Sequence, residues 1–290
     1  MKKSRKLATL GICSALFLGL AACQQQHATS EGTNQRQRSS AKVLWKASYT
    51  NLNNQVSTEE VKSLLSAHLD PNSVDAFFNL VNDYNTIVGS TGLSGDFTSF
   101  THTEYDVEKI SHLWNQKKGD FVGTNCRINS YCLLKNSVTI PKLEKNDQLL
   151  FLDNDAIDKG KVFDSQDKEE FDILFSRVPT EATTDVKVHA EKMETFFSQF
   201  QFNEKARMLS VVLHDNLDGE YLFVGHVGVL VPADDGFLFV EKLTFEEPYQ
   251  AIKFASKEDC YKYLGTKYAD YTGEGLAKPF IMDNDKWVKL

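Results

Sequence analysis

Three runs in the last third of the chain leave little freedom of architecture. Met208–Leu213, Tyr221–Val231 and Phe237–Leu243 are dense in Val, Leu and Phe. The turn sequences Asn216-Leu217-Asp218-Gly219 and Ala233-Asp234-Asp235-Gly236 separate them. Short β-branched and aromatic runs joined by Asp-Gly turns predict an antiparallel meander. A second pair of runs, Phe280-Ile281-Met282 and Trp287-Val288, predicts a closing hairpin.

Upstream of Ala206 the apolar period is helical. Ser57-Thr58-Glu59-Glu60 has the form of a capping box, followed by Val61, Leu64, Leu65 and Leu69 on one face. Asp70-Pro71 opens a second helix through Phe77, Phe78, Val81 and Tyr84, whose aromatics at this spacing are core residues. Residues 89–103 form a loop, and Val107, Ile110, Leu113 and Trp114 mark a third helix ending at Gly119. Further helices are predicted after Asp167-Lys168-Glu169-Glu170, over residues 186–201 and after Ser256. Leu149–Leu152 reads as a buried strand, and Asp153-Asn154-Asp155 as an acidic turn, since it lacks the alternation and distal glutamate of an EF-hand loop. Val43-Leu44-Trp45 starts the folded part as a short strand. Helices first and strands after give an α+β class over residues 43–290, arranged as one domain with an antiparallel sheet or partial barrel.

The N-terminus stands apart. Lys2, Lys3, Arg5 and Lys6 precede the apolar stretch Leu7–Leu20 and the ending Leu20-Ala21-Ala22-Cys23. This pattern predicts a signal peptide over residues 1–22. Its ending resembles the bacterial lipobox, which implies cleavage before Cys23 and a diacylglyceryl group on that sulfur. Residues 23–42 contain no large apolar side chain and form a flexible tether. The expected address is the extracytoplasmic face of a cell membrane, reached through lipid. Residues 1–22 hold four basic and no acidic side chains, so their removal takes the formal charge from −8 to −12. Such a surface is a poor partner for nucleic acid.

After cleavage Cys126, Cys132 and Cys260 remain besides the lipidated residue, an odd number for an exported chain. Gly123-Thr124-Asn125 precedes Cys126, and Ile128, Tyr131 and Leu134 follow at helical spacing. Cys126 therefore opens a helix, where unpaired backbone N–H groups and the helix dipole favour thiolate. A buried small residue that merely starts a helix fits the same stretch. In the run LFVGHVGVLV, His226 is a polar side chain among apolar ones, and alternation places it on one face with Val224 and Gly228. Gly225 and Gly228 suggest close approach of another backbone or a ligand. On the next strand Glu241 lies amid Phe239, Val240 and Leu243, where a carboxylate requires a partner. Pairing about the 233–236 turn brings it to the level of His226. The two form either a self-contained structural pair or a general base with its orienter. The remaining histidines lack mutual ligand spacing, so neither a metal nor a cofactor is expected.

Cysteine at a helix N-terminus, histidine on a later strand and a polar residue on the next resembles the order of papain-like cysteine peptidases. HVGVLV, a turn and FLFVE resemble the histidine hairpin of NlpC-type cell-wall amidases. That resemblance implies Cys126 as nucleophile, His226 as base, Glu241 as orienter and Asn125 as oxyanion support, with an amide or peptide of the cell envelope as substrate. It departs in two places. NlpC-type enzymes usually carry Asp-Cys-Ser where Asn125-Cys126-Arg127 stands, and His, Asn or Gln where Glu241 stands. Specificity for peptidoglycan peptides is therefore not carried over. VNDYN, Gly123–Arg127, GHVGVLV, VEKLTFEEPYQAIKF and YLGTKY resemble a lipoprotein family of Gram-positive bacteria, domain of unknown function 4300, which implies no activity. The same residues fit a transglutaminase-like acyl transferase, or a non-catalytic scaffold that binds a wall component or a protein.

Overall fold

The computed structural model describes residues 46–100 and 104–290. The signal sequence, the tether and the expected strand at residues 43–45 lie outside them. Eight helices are present among the described residues. They are α1 (Gln55–Ser66), α2 (Pro71–Val88), α3 (Val107–Lys118), α4 (Cys126–Leu134), α5 (Phe151–Gly160), α6 (Ser165–Leu174), α7 (Val186–Phe197) and α8 (Lys257–Lys267). The long strands are β6 (Arg207–Asp215), β7 (Tyr221–Ala233), β8 (Gly236–Lys242) and β9 (Tyr249–Phe254). Shorter ones are β1 (Ala47–Thr50), β2 (Thr98–Ser99), β3 (Val138–Thr139), β4 (Val178–Pro179), β5 (Gln201–Phe202), β10 (Phe280–Asp283) and β11 (Lys286–Val288). The fold is α+β with a large antiparallel sheet that does not close.

The sheet runs β11-β10-β6-β7-β8-β9-β1-β2, with β4 added against β7. The meander and closing hairpin fall where the sequence predicts them. The order also contains β9, which alternation alone does not single out, and β1 from the start of the chain lies beyond it.

The two faces of the sheet bury different partners. Helices α1–α7 supply one cluster, including Leu65, Phe77, Ile128, Leu133 and Phe171, against Val224, Val227, Val229, Leu238 and Val240. Helix α8 supplies the other, with Cys260, Tyr263, Leu264 and the following Tyr268 against Leu209, Val211, Leu230, Phe239 and Ile252. Burying a side chain such as Leu or Phe contributes about 1.5–3 kcal/mol.

Caps explain several boundaries. The first helix begins earlier than its capping-box sequence suggests, because Asn54 is the N-cap and accepts from the Ser57 N–H at 2.9 Å. Asp70 caps α2, with Pro71 at the first helical position. At Leu149–Leu152 the expected strand is absent. Gln148–Leu150 form a 3-10 turn that runs into α5, so Asp153-Asn154-Asp155 lie in a helix and not in a turn. A four-residue apolar run does not distinguish a buried strand from one side of a helix.

Alternation along β7 also fails at one point. The register passes from Val211↔His226 to Val212↔Val224, so Gly225 is the extra residue of a β-bulge. Val224 and Val227 consequently share the α1–α7 side, and His226 turns toward α8, where it stacks on Tyr268 at 4.9 Å. The close approaches at the two glycines come from within the protein. A Cβ on Gly225 would sit 2.3 Å from Leu213, and one on Gly228 would sit 2.3 Å from Phe239 and 2.8 Å from the Val240 carbonyl.

His189 and His214 pack together in the interior with ring centroids 4.4 Å apart and planes tilted by 44°. Burial depresses the His189 pKa, with His214 adding to the effect and the Thr183 carbonyl, Glu220 and Asp185 opposing it. The unfolded chain protonates at the usual histidine value of about 6.5. Below that pH the unfolded state binds the extra proton, so this contribution is complete above it and is lost as pH falls toward the folded value. In urea unfolding, the stability margin of the wild type over His189→Gln is expected to shrink as pH falls below about 6.5. A constant margin would contradict this.

Candidate functional site

Helix α4 begins where the loop before it is forced to turn. Gly123 has φ +90°, a left-handed conformation that favours glycine, and a Cβ there would press on Trp114 at 3.2 Å. Asn125 then caps α4, its Oδ1 accepting from the Ile128 N–H at 3.1 Å, which contributes about 1 kcal/mol. Its Nδ2 donates to Asp153 Oδ1 at 2.7 Å. The side chain thus supports the loop through its oxygen and one N–H of its amide. Asn129 ties the loop further, donating to Thr124 Oγ1 and to the Asn125 carbonyl and accepting from the Tyr249 hydroxyl at 3.0 Å.

Cys126 is the first residue of α4 and 5% exposed. Its thiol makes a hydrogen-bonding contact with His226 and receives the Val227 N–H. His226 Nε2 lies 2.5 Å from Glu241 Oε2, which leaves Nδ1 for the sulfur. The structure thus brings Cys126, His226 and Glu241 into one contact chain, with the latter two almost wholly buried.

Burial is the largest influence on the Cys126 thiol and would push it up. The His226 charge and hydrogen bond, Arg127 and the Val227 N–H overcome it and hold the thiol below its ordinary range. Burial likewise opposes protonation of His226, yet Cys126 and Glu241 raise it above the usual imidazole value. Glu241 is held well below the carboxylate range against its own burial, by Lys267, His226 and Tyr263. The three directions agree, each shift favouring the charged form of its group. Cys132 and Cys260 differ, for burial pushes the former up to about 12 and the latter well above an ordinary thiol. All three thiols are unpaired.

Several participants escape sequence reading. Arg127 donates through Nε and Nη2 to the two oxygens of Asp153 at 2.9 and 2.7 Å, and through Nη1 to the Val224 carbonyl at 3.0 Å. The arginine in the first turn after the cysteine is a visible signal, but its partner lies in the segment misread as a turn. Tyr263 and Lys267 come from α8 and Tyr268 from its C-cap, a separate stretch of chain. Buried Lys242 donates to the carbonyls of Thr244, Phe245 and Glu247 and lies over the Tyr84 ring at 4.2 Å. Its burial lowers its pKa to about 7. Among the described residues no group of three or more His, Cys, Asp or Glu is placed to hold a metal ion.

Asp153→Asn would leave the Arg127 guanidinium, whose side chain is 15% exposed, without its countercharge, at a cost of about 1–3 kcal/mol. Urea unfolding followed by Trp fluorescence should show this loss, with the double variant Arg127→Met/Asp153→Leu losing less than Asp153→Asn. An additive double variant would remove the pair from the account of the site.

Searches of curated proteins and of solved structures returned no match. A family model described as a domain of unknown function (DUF4300) matches residues 48–288, a span that includes α4, the β7–β8 hairpin and α8. The chain belongs to that family.

Proposed function

We propose that the protein is a surface lipoprotein with a papain-like layout, acting at the cell envelope as a thiol-dependent amide or peptide hydrolase. The contact chain Cys126–His226–Glu241 carries this reading, because each member shifts the next toward its reactive protonation state. In the reaction Cys126 Sγ attacks the amide carbonyl carbon, forming a C–S bond while the carbonyl π pair moves to oxygen. The Cys126 N–H at the helix start donates to that oxyanion. His226 gives its proton to the leaving nitrogen as the C–N bond breaks, leaving a thioester. Water then attacks, His226 taking its proton, and the acid departs with the thiolate restored. An amine in place of water would make the same site an acyl transferase.

The 5% exposure of Cys126 favours a second reading, a scaffold that keeps the layout and binds a wall component or protein without turnover. Alkylation separates the two. In the mature protein at pH 6, iodoacetamide is expected to modify Cys126 at least tenfold faster than Cys132 or Cys260, and His226→Ala to slow it about tenfold, the effect of one unit in thiol pKa. Equal labelling of the three thiols, or a rate–pH profile untouched by His226→Ala, would leave the scaffold reading.

The address has its own test. Cys23→Ala is expected to abolish incorporation of radiolabelled fatty acid and to leave the N-terminal segment uncleaved. Undiminished labelling would refute the lipid anchor.

A further inference from the structure

Glu241 poses a problem that an amide orienter would not. Its side chain is fully buried and can itself hold a proton. If the proton shared with His226 rested on Glu241, the imidazole would be neutral and the thiolate would lose its counter-ion. The surroundings of the other carboxylate oxygen bear on this choice. Tyr263 Oη lies 2.5 Å from Glu241 Oε1, and Lys267 Nζ lies 2.8 Å from the same Oη and 3.6 Å from Oε1. An ammonium group can only donate, so the Tyr263 oxygen accepts from Lys267 and turns its proton to Glu241. The direction of donation is thereby set along the whole path, from Lys267 through Tyr263 to Glu241. Oε1 receives a hydrogen bond, Oε2 is left to accept from His226, and the proton is displaced toward the imidazole.

Local structure supports this arrangement. Tyr263 and Lys267 are four residues apart on α8 and therefore lie on one face of the helix. The Tyr263 ring is clamped edge-on by Phe100 at 5.3 Å and packed on Phe254 at 5.7 Å, so its hydroxyl has little freedom to turn away. Among the described residues, the titratable groups that face Glu241 are His226 from β7, Cys260, Tyr263, Lys267 and Tyr268 from α8 and its end, and Tyr105 from the loop before α3. Apart from His226, Lys267 is the cation among them.

We infer that Tyr263 is a positioning residue for the proposed thiol chemistry, its hydroxyl oriented by Lys267 so that Glu241 stays a carboxylate and the shared proton stays on His226. The inference rests on the reading of Cys126 and His226 given above. In this role Tyr263 acts on the sulfur indirectly, through Glu241 and His226. A glutamate at this position, where an amide or imidazole is usual in NlpC-type enzymes, then comes with its own device for keeping it ionised.

The test is the rate of Cys126 alkylation by iodoacetamide against pH in the full mature protein, read by mass spectrometry of the Cys126 peptide. Tyr263→Phe keeps the ring and removes the hydroxyl. It is expected to move the acidic limb of the profile up by about one pH unit, and to lower the thermal midpoint because the buried carboxylate loses a donor. Lys267→Met should move the limb in the same direction, and Lys267→Arg should restore it, which a merely structural role would not produce. Should Tyr263→Phe fail to fold, the lysine pair decides alone, since that side chain is 31% exposed and its replacement opens no cavity. Profiles for Tyr263→Phe and Lys267→Met that superimpose on the wild type, while His226→Ala still alters its own, overturn this inference and leave the catalytic reading intact. A profile unmoved by His226→Ala overturns both.

Discussion

The site depends on a gap in the hydrogen bonding of β7. One edge of this strand pairs with β6 along its length. The other edge pairs with β4 at Tyr221 and Leu222 and with β8 only from Val229 onward. Between them the strand would present unpaired backbone groups to the protein interior, at a cost of about 1–3 kcal/mol each. Helix α4 fills that window with side chains. Arg127 donates to the Val224 carbonyl, Ser130 Oγ donates to the Val227 carbonyl at 3.2 Å, and the Cys126 sulfur receives the Val227 N–H. The cysteine is thus a component of the sheet edge as well as the start of a helix. Its position relative to His226, one residue before Val227, follows from that pairing.

The window also explains how groups from two layers meet. Cys126 arrives with the α1–α7 layer, and Glu241 faces α8. A regular strand would send residues 224, 226 and 228 to one side and 225, 227 and 229 to the other. The extra residue at Gly225 breaks that count, so Val224 and Val227 both lie toward α4 while His226 turns toward Tyr268. The bulge sits in the unpaired window, where it disrupts ladder bonds with β6 alone. Bending the strand there lets the imidazole reach the helix start without opening the sheet elsewhere.

This division accounts for what the sequence reveals and what it hides. The meander, the α4 start and the His226–Glu241 contact are legible because each depends on local signals: alternation, a cap and a turn of known length. The bulge is hidden, since counting by twos assumes that no residue is extra, and Gly225 is equally consistent with close packing. Asp153 is misread for a different reason. Its neighbours Asn154 and Asp155 make a polar triplet like a turn, and its partners, the Asn125 amide and the Arg127 guanidinium, lie 28 and 26 positions earlier. Tyr263 and Lys267 carry no local signal of a site, because their i, i+4 spacing is ordinary for a helix and their partner is on a strand.

Burial of charge is what these long-range partners have in common. Glu241 and Lys242 are taken out of water and Arg127 largely so; an uncompensated ion there would neutralise, and Lys242, its pKa lowered to about 7, partly does. Each has been given donors or acceptors matched to its shape: a bidentate carboxylate for Arg127, a hydroxyl and an imidazole for Glu241, three carbonyls and an aromatic face for Lys242. Buried ion pairs are weak sources of net stability, and well-packed apolar residues often replace them at no loss. Their retention around one sulfur therefore calls for a cause other than stability. The proposed thiol chemistry supplies one, since a thiolate–imidazolium pair in a nearly dry setting persists only where neighbouring charges are fixed in number and direction. The matched partners of Arg127 and Glu241 come from the helical layer and from α8 respectively, so the proposed thiolate would draw on both layers.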